Sequence, residues 1–294
     1  MHLEFFQVEH FFYRLSPKIQ KSLKNNKGWL LIELYEPISK PVFDLLKFNI
    51  KNNKEIPFNR FLFITCSVVN HKNWLDIPMF YHTHLQYEPH EPNDLQDRKI
   101  FCCFNASLEK QKHRKDLVKA LEKLDLNKHG YVSVKNSDEY CNTYNKLPVT
   151  VLNNVDINLT IETFFKLNYK NDFYSMETLP LISERTMRNF LFKKPFLTIG
   201  YKGVLKDIKD KGYQTFPEIF DEAYDDEDDD YKRMLLVLKE LKRFSNLTQQ
   251  DRNSALLSIA DKLQHNYEHF INKVSINNIT NKLKEIQIRN SINV

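Results

Sequence analysis

The sequence predicts an α/β fold: two successive units of alternating strands and helices, closed by a helical extension. Three observations carry this. Short apolar runs of strand length recur at 29–34 (WLLIEL), 60–66 (RFLFITC), 99–104 (KIFCCF) and 195–199 (PFLTI), between segments of helical periodicity. The stretch 172–212 reads as strand, loop, helix, strand, glycine turn and helix, a βαβα unit that implies a parallel sheet. Beyond 229 only helix signals remain, to about 288.

In the stretch 172–212 the first strand covers 172–177 and ends in Glu177. Ser183 is a natural N-cap, because its hydroxyl can accept a bond from an otherwise orphaned backbone N–H. Met187, Phe190 and Leu191 share one helical face, and Pro195 stops that helix. Gly200 and Gly203 mark the turn into a helix over 204–211.

The chain opens on an aromatic-rich segment, and Ser16-Pro17 pairs a cap with a proline at the first helical position. Tyr35, Glu36 and Pro37 follow the strand 29–34; Pro41 starts a helix; 78–82 reads as a third strand. Residues 88–96, rich in Pro, Glu and Asp, form a linker. The second unit places a helix at 112–124, with Leu117, Ala120, Leu121 and Leu124 inward. A strand begins at Gly130, and a helix is expected over 156–167 from Leu159, Ile161, Phe164 and Phe165. A helix over 231–244 and a capping box at Thr248 to Asp251 follow. The expected division is an N-terminal α/β domain (1–96), a second Rossmann-like domain (97–228) and a helical C-terminal extension (229–294), so that two Rossmann-like domains face one another.

Composition narrows the class. At 294 residues with 41% hydrophobic and 13% aromatic content, the chain can build a real core. The net charge of +5 is spread along the chain; it permits a polyanionic partner without arguing for one. With only 5 glycines, neither a GxGxxG nor a Walker loop can be placed. Cys66, Cys102, Cys103 and Cys141 lack CxxC spacing and read as reduced thiols. No signal peptide or membrane-spanning run is visible, and a cytoplasmic protein is expected.

The chemistry is expected where the helix after Ser183 begins. A helix N-terminus suits phosphate. Arg185 in its first turn can grip a phosphate bidentately, and Glu184 can accept bonds from ribose hydroxyls. A carboxylate there also suits the helix dipole without any ligand. The acidic run 221–230 could bind Mg²⁺, but a carboxylate-rich lead into the following helix is the better reading.

The segment ISERTMRNFLFKKPFLTIG resembles a family pattern: a strand ending in Glu, a Thr/Ser-Glu-Lys/Arg helix start, Lys-x-Pro-Phe, and a strand ending in Gly. This is the donor-binding half of glycosyltransferases related to the α-1,3-fucosyltransferases, and of a similar glycosyltransferase-like group common in phages and large DNA viruses. KIFCCFNASLEKQKHRKDLVKALEKL is similar to a second element, in which a strand ends in Asn and a helix start carries His-Arg. GYQTFPEIFDEAYD also resembles that group, and the resemblance covers 99–226. It implies a GT-B architecture, a nucleotide-sugar donor as substrate, and neither essential metal nor cofactor. By position Glu184 would hold the ribose, and Arg185 and Arg114 the diphosphate. Arg185 stands where lysine is more usual, and Ala106 and Ser107 replace basic residues after Asn105.

Asn105, Glu177, Glu184 and Gly200 each follow an expected strand closely, where open α/β sheets place ligands. Arg114, Glu177, Glu184 and Arg185 are expected to converge on one pocket. An inverting transfer needs a general base; Glu36 is the first candidate, with His82 and His84 as alternatives. The acceptor would be a glycan, a protein or a modified, hydroxylated DNA base. The competing class is a non-catalytic protein that docks nucleic acid or a partner on the same fold.

Overall fold

The computed structural model describes residues 17–25, 30–34, 61–65, 74–76, 98–104, 112–133, 149–162, 165, 182–274, 280–281 and 284–285. The chain divides into two compact units. One comprises Met1–Ile77, Asn168–Leu181 and Ile276–Val294, the other Pro78–Leu167 and Ile182–Ser275.

The first unit contains helix α1 (Pro17–Lys24) and strands β1 (Leu30–Leu34), β2 (Phe61–Thr65) and β3 (Trp74–Asp76). The strands pair in parallel in the order β1-β2-β3, with Leu30 opposite Phe61 and Phe63 opposite Trp74. The third strand of this sheet is 74–76; the expected strand at 78–82 lies outside the described residues.

The second unit is built on a four-stranded parallel sheet ordered β5-β4-β6-β7. Its strands are β4 (Lys99–Phe104), β5 (Gly130–Ser133), β6 (Val155–Ile161) and β7 (Phe196–Ile199). Helix α2 (Lys112–Lys123) lies between β4 and β5 in the chain, the short α3 (Val149–Asn153) before β6, and α4 (Glu184–Leu191) before β7. After β7 come α5 (Val204–Asp210), α6 (Asp230–Ser245), α7 (Gln249–Ser258) and α8 (Ala260–Val274). The helical segment after 229 thus belongs, as far as Ser275, to the same unit as this sheet. Helix α6 packs against β7, and α8 against α4.

The core lies on the sheet. Phe101, Ile157, Leu159, Leu197 and Ile199 of the sheet, Leu117 and Leu121 of α2, and Val237, Leu238, Leu241 and Phe244 of α6 are all at essentially zero exposure. Gly130 opens β5 because a Cβ there would stand 2.4 Å from the Phe101 ring.

One expected helix is a strand. Residues 155–161 form β6, central in the sheet and paired with β4 and β7. The segment VDINLTI alternates strictly, a period of two. A helical period needs Leu159 and Ile161 with Phe164 and Phe165, and leaves the polar Asp156, Asn158 and Thr160 without a place. Those polar residues are buried and bonded: Asp156 accepts from Arg98 and Arg252, and Asn158 and Thr160 bond to Asn189. A polar strand face can be buried when its partners are polar too.

The acidic run 221–230 works as a set of caps. Asp225 accepts the Leu205 and Lys206 N–H groups at 3.0 Å each, at the start of α5. Glu222 accepts the Phe216 N–H and the Thr215 hydroxyl, and Asp221 the Ala223 N–H. Asp229 caps α6 by accepting from Lys232 at 2.7 Å. Each carboxylate satisfies a donor at a helix start or turn that would otherwise be orphaned. Among the described residues no group of three or more His, Cys, Asp or Glu side chains is disposed to hold a metal ion. Nor is any helix among them long and apolar enough to cross a membrane. Cys102 and Cys103 are buried and in no disulfide, and burial pushes the Cys103 thiol up to about 12; Cys66 and Cys141 lie outside the described residues.

Candidate functional site

The chain leaves β4 for β5 on one side of it, then returns to place β6 on the other. The strand order therefore reverses between β4 and β6, and the carboxyl ends of these strands form a topological switch point, the usual ligand position of an open α/β sheet. The starts of α2 and α4 contribute to this place.

Helix α2 begins Lys112-His113-Arg114-Lys115, with no carboxylate in its first turn. Cations at a helix N-terminus oppose the dipole, each costing about 0.3–1 kcal/mol. Arg114 is nevertheless 4% exposed, and His113 is as deeply buried. The His113 ring stacks on Phe165, with centroids 4.8 Å apart and planes 7° from parallel. Its Nε2 lies 3.4 Å from the Glu162 carbonyl oxygen; a carbonyl only accepts, so this nitrogen carries the proton. Burial first, then the Arg114 and Arg185 charges, hold the imidazole down at about 4. It is neutral at physiological pH.

Helix α4 begins at Ser183, whose hydroxyl accepts the Arg185 N–H at 3.3 Å, as its N-cap role requires. The Ser183 N–H donates to both carboxylate oxygens of Glu162, at 3.2 and 3.1 Å, and the Thr186 hydroxyl donates to one of them at 2.5 Å. Glu162 follows β6 directly and is 1% exposed; its own N–H extends the ladder to Ile199. The positive end of the α4 dipole is thus met by a carboxylate of the chain itself. What the α4 start offers beyond Glu162 is the Arg185 side chain, which is half-buried.

Arg114 and Arg185 both act electrostatically on the Cys103 thiol, lowering it against burial, and both act on His113. Two arginines from two helix starts therefore both act electrostatically on groups near the carboxyl end of β4. Glu184 is the first residue of α4; its side chain, and all of Asn105, Glu177, Glu36, His82 and His84, lie outside the described residues. Gly200 follows β7 and is buried against Glu162: an added Cβ would lie 3.3 Å from the Glu162 Cβ and Cγ. Its carbonyl accepts from Arg233 Nε at 2.9 Å. Its observed part is to leave room for the Glu162 side chain. Gly200→Ala should cost about 1–3 kcal/mol, the usual range for overpacking, measured by urea unfolding; a neutral result would mean that Glu162 moves aside freely.

Glu162, Thr186 and Asn189 were not singled out from sequence, and His113 entered only as part of the His-Arg helix start, with no role of its own. The signal for Glu162 was the alternation of 155–161, which places a carboxylate one step past the strand end. Nothing local distinguishes Thr186 or Asn189.

No family model matches this sequence, and no curated protein matches it. Among solved structures it is similar to a crystal structure of α-1,3-fucosyltransferase with GDP, at 14% identity and a TM-score of 0.42, over 83% of this chain and 74% of that one. A second α-1,3-fucosyltransferase structure matches at 19% identity and a TM-score of 0.32, over 71% of each chain.

Proposed function

We propose that the chain is a metal-independent glycosyltransferase of GT-B type that moves a sugar from a nucleotide-sugar donor to an acceptor hydroxyl. The reading is supported above all by Arg114 and Arg185, which stand in the first turns of α2 and α4 and both act electrostatically on Cys103, near the carboxyl end of β4. A cationic first turn in α2, opposed to the helix dipole, is a local cost that an anionic ligand would offset. His113, held neutral beside them, adds no third charge. The resemblance of residues 99–226 to the donor-binding half of such enzymes supports the same reading.

In this reading the bond between the sugar's anomeric carbon and the diphosphate oxygen breaks, and the nucleoside diphosphate leaves with the electron pair. The charge growing on its phosphates is met by the fixed guanidinium groups of Arg114 and Arg185, whose preorganisation is where such sites gain most. Glu184 and Asn105 hold the donor, with Glu177 near it. The acceptor oxygen bonds to the anomeric carbon as its proton passes to a general base: Glu36, with His82 and His84 as alternates. A glycan, a protein or a hydroxylated DNA base serves as acceptor.

The test is binding. UDP, GDP, ADP and CMP, with their sugar conjugates, are titrated against the wild type and Arg185→Ala. The variant should weaken the preferred nucleotide by about 1.5–3 kcal/mol, the worth of a hydrogen bond to a charged group, or roughly 10- to 150-fold in Kd. Equal affinity of both proteins for every nucleotide would return the chain to the non-catalytic binding class.

A further inference from the structure

Every second residue along β6 and one step past it is polar: Asp156, Asn158, Thr160 and Glu162, all buried. The last three form a ladder with α4. Asn158 Nδ2 donates to Asn189 Oδ1 at 2.6 Å. Asn189 Nδ2 donates to Thr160 Oγ1 at 2.9 Å and to the Arg185 carbonyl at 3.3 Å. Glu162 accepts from the Ser183 N–H and the Thr186 hydroxyl. Ascending the strand from 158 to 162 descends the helix from 189 to 183, so the two run antiparallel, as a βαβ crossover requires.

An apolar helix face can slide along a sheet with little change in energy, because dispersion and burial have no direction. A ladder of buried hydrogen bonds cannot. A slip of one residue turns a helix by about 100° and would leave each rung unmade inside the protein. The ladder therefore specifies a single height and rotation for α4, and its top rung lies in the turn that carries Arg185. Thr186 and Ser183, the two residues Glu162 binds, flank the Glu184–Arg185 pair.

We infer that Glu162 is the positioning residue for Arg185: its carboxylate anchors the first turn of α4 and so aims the guanidinium at the anion-binding end of β4 and β6. The inference rests on the reading of Arg185 as a ligand for the donor diphosphate. Glu162 touches no ligand in this role and acts through the helix.

The experiment is a double-mutant cycle on nucleotide affinity, read by calorimetry with whichever of UDP, GDP, ADP and CMP the wild type binds most tightly. Glu162→Ala should weaken binding at least about 10-fold in the wild-type background and less than about 2-fold in the Arg185→Ala background, because residues acting as one unit are not additive. Glu162→Gln keeps the oxygen that accepts from Ser183 and should retain wild-type affinity or exceed it. Thr186→Val removes one rung without the carboxylate and should show a smaller loss with the same dependence on Arg185. An equal loss from Glu162→Ala in both backgrounds, or a Gln variant as weak as the Ala variant, overturns the inference. If Arg185→Ala changes no affinity, the donor reading fails instead, and amide exchange decides the positioning role by itself. Glu162→Ala should then speed exchange about 10-fold or more at residues 184–187, with Glu162→Gln restoring it and the β4 and β7 amides unchanged. Unchanged exchange in α4, or acceleration throughout the unit, overturns it.

Discussion

Arg233→Met should lower the unfolding free energy by about 3–5 kcal/mol, the cost of removing one partner from a buried charged network. Arg233 sits in α6 at 1% exposure. Its Nε donates to the Gly200 carbonyl at 2.9 Å, Nη1 to the Glu227 carbonyl at 2.6 Å, and Nη2 to the Phe165 carbonyl at 3.1 Å. The same guanidinium pairs with Asp230 and lies 5.9 Å from the centroid of the Phe165 ring. Methionine fills much of the volume but leaves three carbonyls without this donor where water is scarce, and a buried acceptor left unmade costs its full desolvation penalty. Lysine should rescue little, since a point charge on a flexible stem cannot reproduce the planar fork. The effect should reach the candidate site, because Gly200 packs on Glu162 and Phe165 stacks on His113. Urea unfolding of both variants is the measurement; a loss under about 1 kcal/mol would mean that water enters and takes over the bonds.

Stability should also fall, by about 3 kcal/mol, as the pH drops from 6.5 towards 4, on account of His113 alone. Its ordinary value of 6.5 is held down to about 4 in the folded protein by burial first, and then by Arg114 and Arg185; the Glu162 carbonyl and Asp116 act the other way. Below 6.5 the unfolded chain takes up a proton at this residue while the folded protein does not. The unfolded state then binds more protons, so unfolding becomes easier as the pH falls. The contribution is fully present above pH 6.5 and is lost progressively towards pH 4, at 1.36 kcal/mol for each unit of difference between the two states. His113→Phe keeps a ring against Phe165 and removes the titration. Its unfolding free energy should show a flatter pH dependence than the wild type over this window, whatever its absolute value. Parallel curves for the two proteins would mean that His113 is charged in the folded state. A bound diphosphate, placing negative charge near His113, should raise its folded value and narrow the difference.

Much of the second unit was written locally. The bounds of β4 coincide with the run KIFCCF, and α2 ends within a residue of its expected limit. Ser183, Pro195 and the pair Gly200 and Gly203 delimit α4, β7 and the start of α5 where their chemistry says they should. Thr248 caps α7 through the Asp251 N–H. Arg114 and Arg185 were legible as cations at two helix starts. Each of these features is settled within about four residues of chain, by a cap, a ring that forbids a helix, or an apolar period, and so sequence alone determines it.

Tertiary structure decided the rest. The character of β6 could not be settled by composition, because its polar face finds Asn189 31 residues away and its terminal carboxylate finds Ser183 21 residues away. No local rule couples residues at those separations. The same holds for the start of α4, to which the fold delivers the Glu162 carboxylate, and for His113, whose neutrality comes from burial beside two arginines. A buried polar group is tolerated only where a partner meets it, and whether one does is decided when the sheet and its helices pack.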